Sequence, residues 1–101
     1  MDLQKFEIFT CIHEHGSLSK AALAQGALPS VLSRQLAALE KDCGGKLFHR
    51  TGRGMVLTEL GARVLPRVQS TLAEYHRLMH EIQAQEGVIS GSVRVGIVPS
   101  L

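Results

Sequence analysis

Residues 28–42, LPSVLSRQLAALEKD, decide how the rest of the chain is read. Leu32, Leu36 and Leu39 recur at helical spacing and share one face, while Ser30, Ser33 and Arg34 lie off it. Pro29 suits the first turn of such a helix, where an N–H has no intrahelical acceptor, and CGGKL after Asp42 ends it. A helix can enter a DNA major groove only if one face packs on its own domain and the opposite edge carries short polar groups and a forked cation. Leu32, Leu36 and Leu39 meet the first condition, and Ser30, Ser33 and Arg34 meet the second. Arg34 can grip guanine O6 and N7, or a phosphate, and its residue type alone leaves both open.

The flanking segments place this helix in a domain. Upstream, Asp2 can cap a first helix carrying Leu3, Phe6, Phe9 and Ile12 on one stripe and ending before His15-Gly16. SLSKAALAQG follows, with Ser17 and Ser19 as capping residues, alanines that allow close packing, and Gly26 as a stop. Downstream, LFHR, TGRG and MVLT form two short apolar runs around a glycine-rich tip, the pattern of a β-hairpin wing. Arg53 sits between two glycines at that tip, where a long cation can reach a neighbouring minor groove or backbone, with Arg50 and Thr51 as phosphate neighbours. Lys20, near a helix start, is a further candidate phosphate contact.

Thr58 then caps a long helix on which Leu60, Val64, Val68, Leu72, Tyr75, Met79 and Ile82 recur at steps of three or four. Run to residue 87, it would span roughly 45 Å, with a kink at Pro66. Its stripe outlasts what a small domain can bury, so Leu72, Tyr75, Met79 and Ile82 are expected to pair with a second copy of the chain. Beyond it, SGSVRVGIVPSL alternates through Val93, Val95 and Ile97 as a first strand would, so the chain is expected to stop just inside another domain. The domains expected are a winged helix-turn-helix over 1–58, a linker and dimerisation helix over 59–87, and a hinge and first strand over 88–101. The fold class is mainly α: three helices, a β-hairpin wing and a long dimerisation helix.

Composition bounds the function. The chain has 101 residues, enough for one small core and an appendage but not for two independent domains. Its net charge of +2 is modest, and all of the excess lies before Thr58, where 7 basic residues face 5 acidic ones. Cys11 and Cys43 have no metal-ligand spacing, and no apolar run is long enough for a signal peptide or a membrane span, so a reduced, cytoplasmic protein is expected. His76 and His80 stand one helical turn apart, as do many metal pairs, but no Cys or carboxylate is placed to complete a site, and exposed histidines are expected. No nucleophile, base and orienting group converge, so neither catalysis nor a metal or cofactor is expected.

GSLSKAA, LSRQLAALEKDCGGKLFHRTGRGMVLTELG and the terminal GSVRVGIVPS together resemble the LysR-type transcriptional regulators, almost end to end. The resemblance implies a bacterial, cytoplasmic DNA-binding regulator, with Arg34 on a base and residues 92–99 as the first strand of an effector-binding domain. It implies an antiparallel homodimer through the linker helix, tetramers for a full-length chain, and double-stranded DNA with a pseudo-palindromic site as partner. It also implies a small-molecule effector whose anionic group Ser100 would help hold. The chain departs from the family where a Ser or Thr cap followed by Gln is common: it has Leu28 and Pro29, and no base-reading glutamine. Gln25 replaces a usual core aliphatic residue, and Leu23 or Leu28 is expected to fill that space. The alternative is a winged-helix protein interaction module with weak or no DNA binding, against which the placing of Arg34, Arg50 and Arg53 on adjoining elements argues.

Overall fold

The computed structural model describes residues 3–89, in the order α1 (Leu3–His15), α2 (Leu18–Gln25), α3 (Pro29–Cys43), β1 (Phe48–Thr51), β2 (Gly54–Leu57) and α4 (Glu59–Ile89). The Asp2 cap, the strand expected at 92–99 and Ser100 lie outside the described residues. The architecture is the winged helix expected from the sequence, followed by a helix that continues through Pro66 without interruption.

The apolar stripes become one core. Ile8, Phe9, Cys11 and Ile12 of α1 meet Leu18, Ala21 and Ala22 of α2 and Leu32, Leu36 and Leu39 of α3, with Leu47, Phe48, Leu65, Val68 and Leu72 completing the cluster. Phe9 and Phe48 meet edge to face, ring centroids 5.4 Å apart, which fastens the wing's first strand to α1. Helix α1 runs one residue further than expected. His15 closes it, its Nδ1 lying 2.9 Å from the Cys11 carbonyl oxygen, and the Gly16 N–H donates to the Ile12 carbonyl.

The helix-turn-helix is set by its caps. Ser17 accepts from the Lys20 N–H at 3.1 Å and starts α2; Ser19 lies inside the helix. Gly26 ends α2 in a left-handed conformation (φ 67°) that suits glycine, and Leu28, in extended conformation, starts α3. Two expectations are corrected here. Neither Leu23 nor Leu28 fills a core gap at Gln25: they are 84% and 66% exposed. The buried face of α2 is made of Leu18, Ala21 and Ala22, and the two alanines let α2 sit close to its neighbours.

The second correction concerns α4. Leu72 is not an uncovered residue awaiting a partner chain; it is 7% exposed and belongs to the core. Helix α1 packs along α4, and Glu7 Oε2 lies 3.2 Å from His76 Nε2, so α1 covers the stripe as far as this level. Beyond it the stripe opens: Tyr75 is 38%, Leu78 53% and Ile82 38% exposed, with Met79 half-buried.

A single backbone unit joins the parts. The buried Leu47 donates its N–H to Glu40 Oε2 of α3 at 2.8 Å and accepts at its carbonyl from the Thr58 N–H at 3.0 Å. Thr58 caps α4 by accepting from the Gly61 N–H, while its own hydroxyl donates to the Lys46 carbonyl at 2.6 Å. A side chain at Gly61 would overlap the Leu47 carbonyl oxygen and press on Leu57. Gly61→Ala is therefore expected to destabilise the protein by about 1–3 kcal/mol, because overpacking against backbone outweighs alanine's better helix propensity of about 1 kcal/mol. Urea unfolding checks this, and a variant as stable as the parent would contradict the close approach.

Candidate nucleic-acid interface

The polar edge of α3 is built by the burial of its other face. With Leu32, Leu36 and Leu39 held in the core, Ser30 and Arg34 are exposed one turn apart and Ser33 is half-buried beside them. Neither α2 nor α3 has an acidic residue in its first turn, so no side-chain carboxylate there opposes an approaching anion.

The wing adds cations on an adjoining surface. Strands β1 and β2 pair antiparallel, Phe48 opposite Leu57 and Thr51 opposite Gly54, which leaves Gly52 and Arg53 as the turn. The Thr51 hydroxyl accepts from the Arg53 N–H at 3.1 Å and donates to the Gly54 carbonyl at 3.2 Å, so it braces the tip that presents Arg53. The hairpin is also tied to the α1–α2 turn: Met55 N–H donates to the Gly16 carbonyl at 2.9 Å. Gly54 permits this, having φ 113° and no side chain to strike that carbonyl.

Two shallow grooves record what comes together. One, of about 320 Å³, runs between α3 and the wing and is lined by Ser33, Ala37, Lys46, His49, Arg50 and Met55 among others. The second, of about 280 Å³, lies between the start of α2 and the wing and is lined by Ser17, Ser19, Arg50, Thr51 and Gly54 among others. Arg50 borders both, and so links the α2 and α3 sides of one polar face. Lys20, Arg34 and Arg53 are exposed but line neither groove.

Lys46 and His49 were not singled out in the sequence. The alternation in LFHR could have placed His49 on the side opposite Phe48, but nothing local marks Lys46. Its ammonium lies 3.8 Å from Glu40 Oε1 and is 80% exposed, so it remains open to a second anion. Cys43 is a different case. Burial pushes its thiol above the ordinary value, and the charges of Asp42 and Glu40 add to this, which favours the protonated form at neutral pH. Among the described residues no group of three or more His, Cys, Asp or Glu side chains is placed to hold a metal, and no helix is long and apolar enough to cross a membrane.

Residues 3–62 match the family described as "Bacterial regulatory helix-turn-helix protein, lysR family", which covers all three helices of the winged domain, its hairpin and the start of α4. The chain belongs to the LysR family. Among its LysR relatives is the HTH-type transcriptional regulator IlvY of Escherichia coli K12, 37% identical over 95 residues, a match spanning 94% of this chain and 32% of that protein. Another is a probable hydrogen peroxide-inducible genes activator of Streptomyces viridosporus, 33% identical over 98% of this chain and 32% of the relative. The chain thus spans about a third of the length of these curated relatives. Among solved LysR structures, full-length CbnR superposes with a TM-score of 0.79 at 28% identity, over 85% of this chain and 30% of CbnR. The CbnR DNA-binding domain in complex with DNA gives 0.77 at 28% identity, over 84% of this chain and 98% of that one.

In this LysR-family chain the Gly54 approach joins the Phe9–Phe48 contact in holding the wing against the start of the domain. Gly54→Ala is expected to cost about 1–3 kcal/mol, since it combines an unfavourable left-handed backbone with a collision at the Gly16 carbonyl. Thermal unfolding measures the loss, and exchange of the Met55 amide should accelerate more than that of core amides. Unchanged Met55 protection would show that the wing does not rely on this contact.

Proposed function

We propose that the chain is the DNA-binding part of a transcriptional regulator, acting in the bacterial cytoplasm as a homodimer on a pseudo-palindromic duplex. The observation that carries this is the joining of the polar edge of α3 to the wing's cations through Arg50, on a face whose helix starts carry no acidic residue. Ser30, Ser33 and Arg34 read base edges, Arg34 through a bidentate contact to guanine. Arg50, Thr51 and Lys20 contact phosphates, and Arg53 anchors the wing in the adjacent groove. Lys46 and His49 extend the phosphate track. The match to a DNA-bound LysR domain supports this reading.

Pairing is assigned to the open part of α4. Tyr75, Leu78 and Ile82 are exposed and, with the half-buried Met79, recur at helical spacing and continue the stripe past Leu72, its last core residue. Leu78 joins the residues expected from sequence, and Leu72 leaves them. Two linked copies address two half-sites, and the second contact becomes intramolecular. For a chain of the relatives' length the proposal extends to tetramers and to a small-molecule effector, with Ser100 as a contact to its anionic group.

Arg34→Ala should weaken binding to a selected site by about 1–3 kcal/mol and relax preference at one base pair per half-site, whereas Arg53→Ala should weaken all sequences more evenly and flatten the salt dependence. Affinities for matched and single-base-changed duplexes across a salt series separate the two. An even loss for Arg34→Ala would assign it to phosphate, and no loss in either variant would favour a protein interaction module. Joint replacement of Leu78 and Ile82 by aspartate should give a folded monomer whose affinity for the full palindrome falls to that for one half-site. Sedimentation and binding together check it, and a dimer that persists would place the interface elsewhere.

A further inference from the structure

We propose that Leu28, with Pro29, forms an apolar tip on α3 that reads a thymine through its 5-methyl group in the major groove. The inference rests on the reading of α3 as the DNA-reading helix and adds a specificity determinant to it. Leu28 occupies the N-cap of α3, yet its side chain makes no capping hydrogen bond. The helix start is held by backbone instead, with the Val31 and Leu32 N–H groups donating to the Leu28 carbonyl at 3.0 and 3.3 Å. Nor does Leu28 serve the core, being 66% exposed. A serine or asparagine here would satisfy an open N–H of the first turn, so leucine forgoes a local gain and leaves an aliphatic group in water.

Its position gives that group an occupant. The N-terminal residues of the second helix are those that approach base edges in a helix-turn-helix. Pro29 is exposed and lies one turn before Ser33, as Ser30 lies one turn before Arg34, so Pro29 continues the polar edge already assigned to bases, and Leu28 is exposed directly before it. The side chains of Leu28 and Pro29 offer no hydrogen-bond donor or acceptor, and Pro29 has no N–H. Of the four bases only thymine presents an apolar group, the C5 methyl, to the major groove. An apolar tip at this point therefore distinguishes T·A from the other pairs by covering that methyl, where a glutamine would have gripped adenine.

The test uses the duplex that this chain enriches from a random pool. Each thymine is replaced in turn by deoxyuridine, which removes the methyl and nothing else. One position per half-site is expected at which this weakens binding about threefold to fivefold, the scale of one methyl withdrawn from water. Leu28→Ala and Leu28→Ser should each abolish that difference, and the serine variant, which restores a capping hydroxyl, keeps the helix start intact. Indifference to deoxyuridine at every position, or a methyl effect that survives in both variants, overturns the proposal while leaving α3 as a DNA reader. A pool that yields no enriched sequence overturns both.

Discussion

The backbone of Leu47 holds the molecule's working parts in register. Its N–H meets the carboxylate of Glu40 from α3, and its carbonyl meets the Thr58 N–H at the head of α4, so the backbone of one residue ties α3, the start of the wing and α4 together. Glu40 is 8% exposed, and losing it would leave the Leu47 N–H buried without an acceptor, a penalty of about 1–3 kcal/mol. The Lys46 contact to the same carboxylate is mostly solvated and adds little. Gly61 completes the joint by having no side chain where α4 passes this carbonyl, so the glycine in LTELG is a packing requirement inside a helix.

The elements were legible in the sequence because period and punctuation agreed. Leu32, Leu36 and Leu39 marked the buried face of α3, Gly26 and the CGG run marked helix ends, and Thr58 marked the head of α4. What was not legible depended on contacts between distant segments. Glu40 reads as an ordinary surface glutamate, since nothing nearby shows that its carboxylate serves a backbone N–H seven residues on. Gly16 and Gly54 each read as turn residues, and their meeting across the wing is visible only once α1 and β2 are packed. For the proposed DNA face, the residue types of Ser30, Ser33 and Arg34 and the tip position of Arg53 are legible in the sequence, whereas the place of Arg50 on two grooves, and of Lys46 and His49 on one of them, required the fold.

The stripe on α4 is one periodic pattern that meets two environments. From Leu65 through Leu72 it belongs to the core, and from Tyr75 it is open to water. Periodicity cannot locate that boundary, because the same spacing continues across it. The boundary depends on how far α1 lies along α4, and the Glu7–His76 contact shows α1 reaching the level of His76. Placing Leu72 on the far side was an error about the reach of α1, not about the face of α4.

The unbroken course of α4 past this boundary makes it a rotational gauge. The helix begins at the Leu47 joint and stays continuous into its open stretch, so the direction in which Tyr75, Leu78 and Ile82 face is fixed relative to the polar edge of α3. Each residue inserted between Leu72 and Tyr75 would turn that apolar face by about 100° and advance it by about 1.5 Å. In a symmetric dimer the angular error is doubled, and the two reading heads swing around the duplex axis. Seven inserted residues, close to two full turns, would nearly restore the facing while moving the heads apart, so in the proposed dimer the length of α4 would set the separation and helical phase of the half-sites.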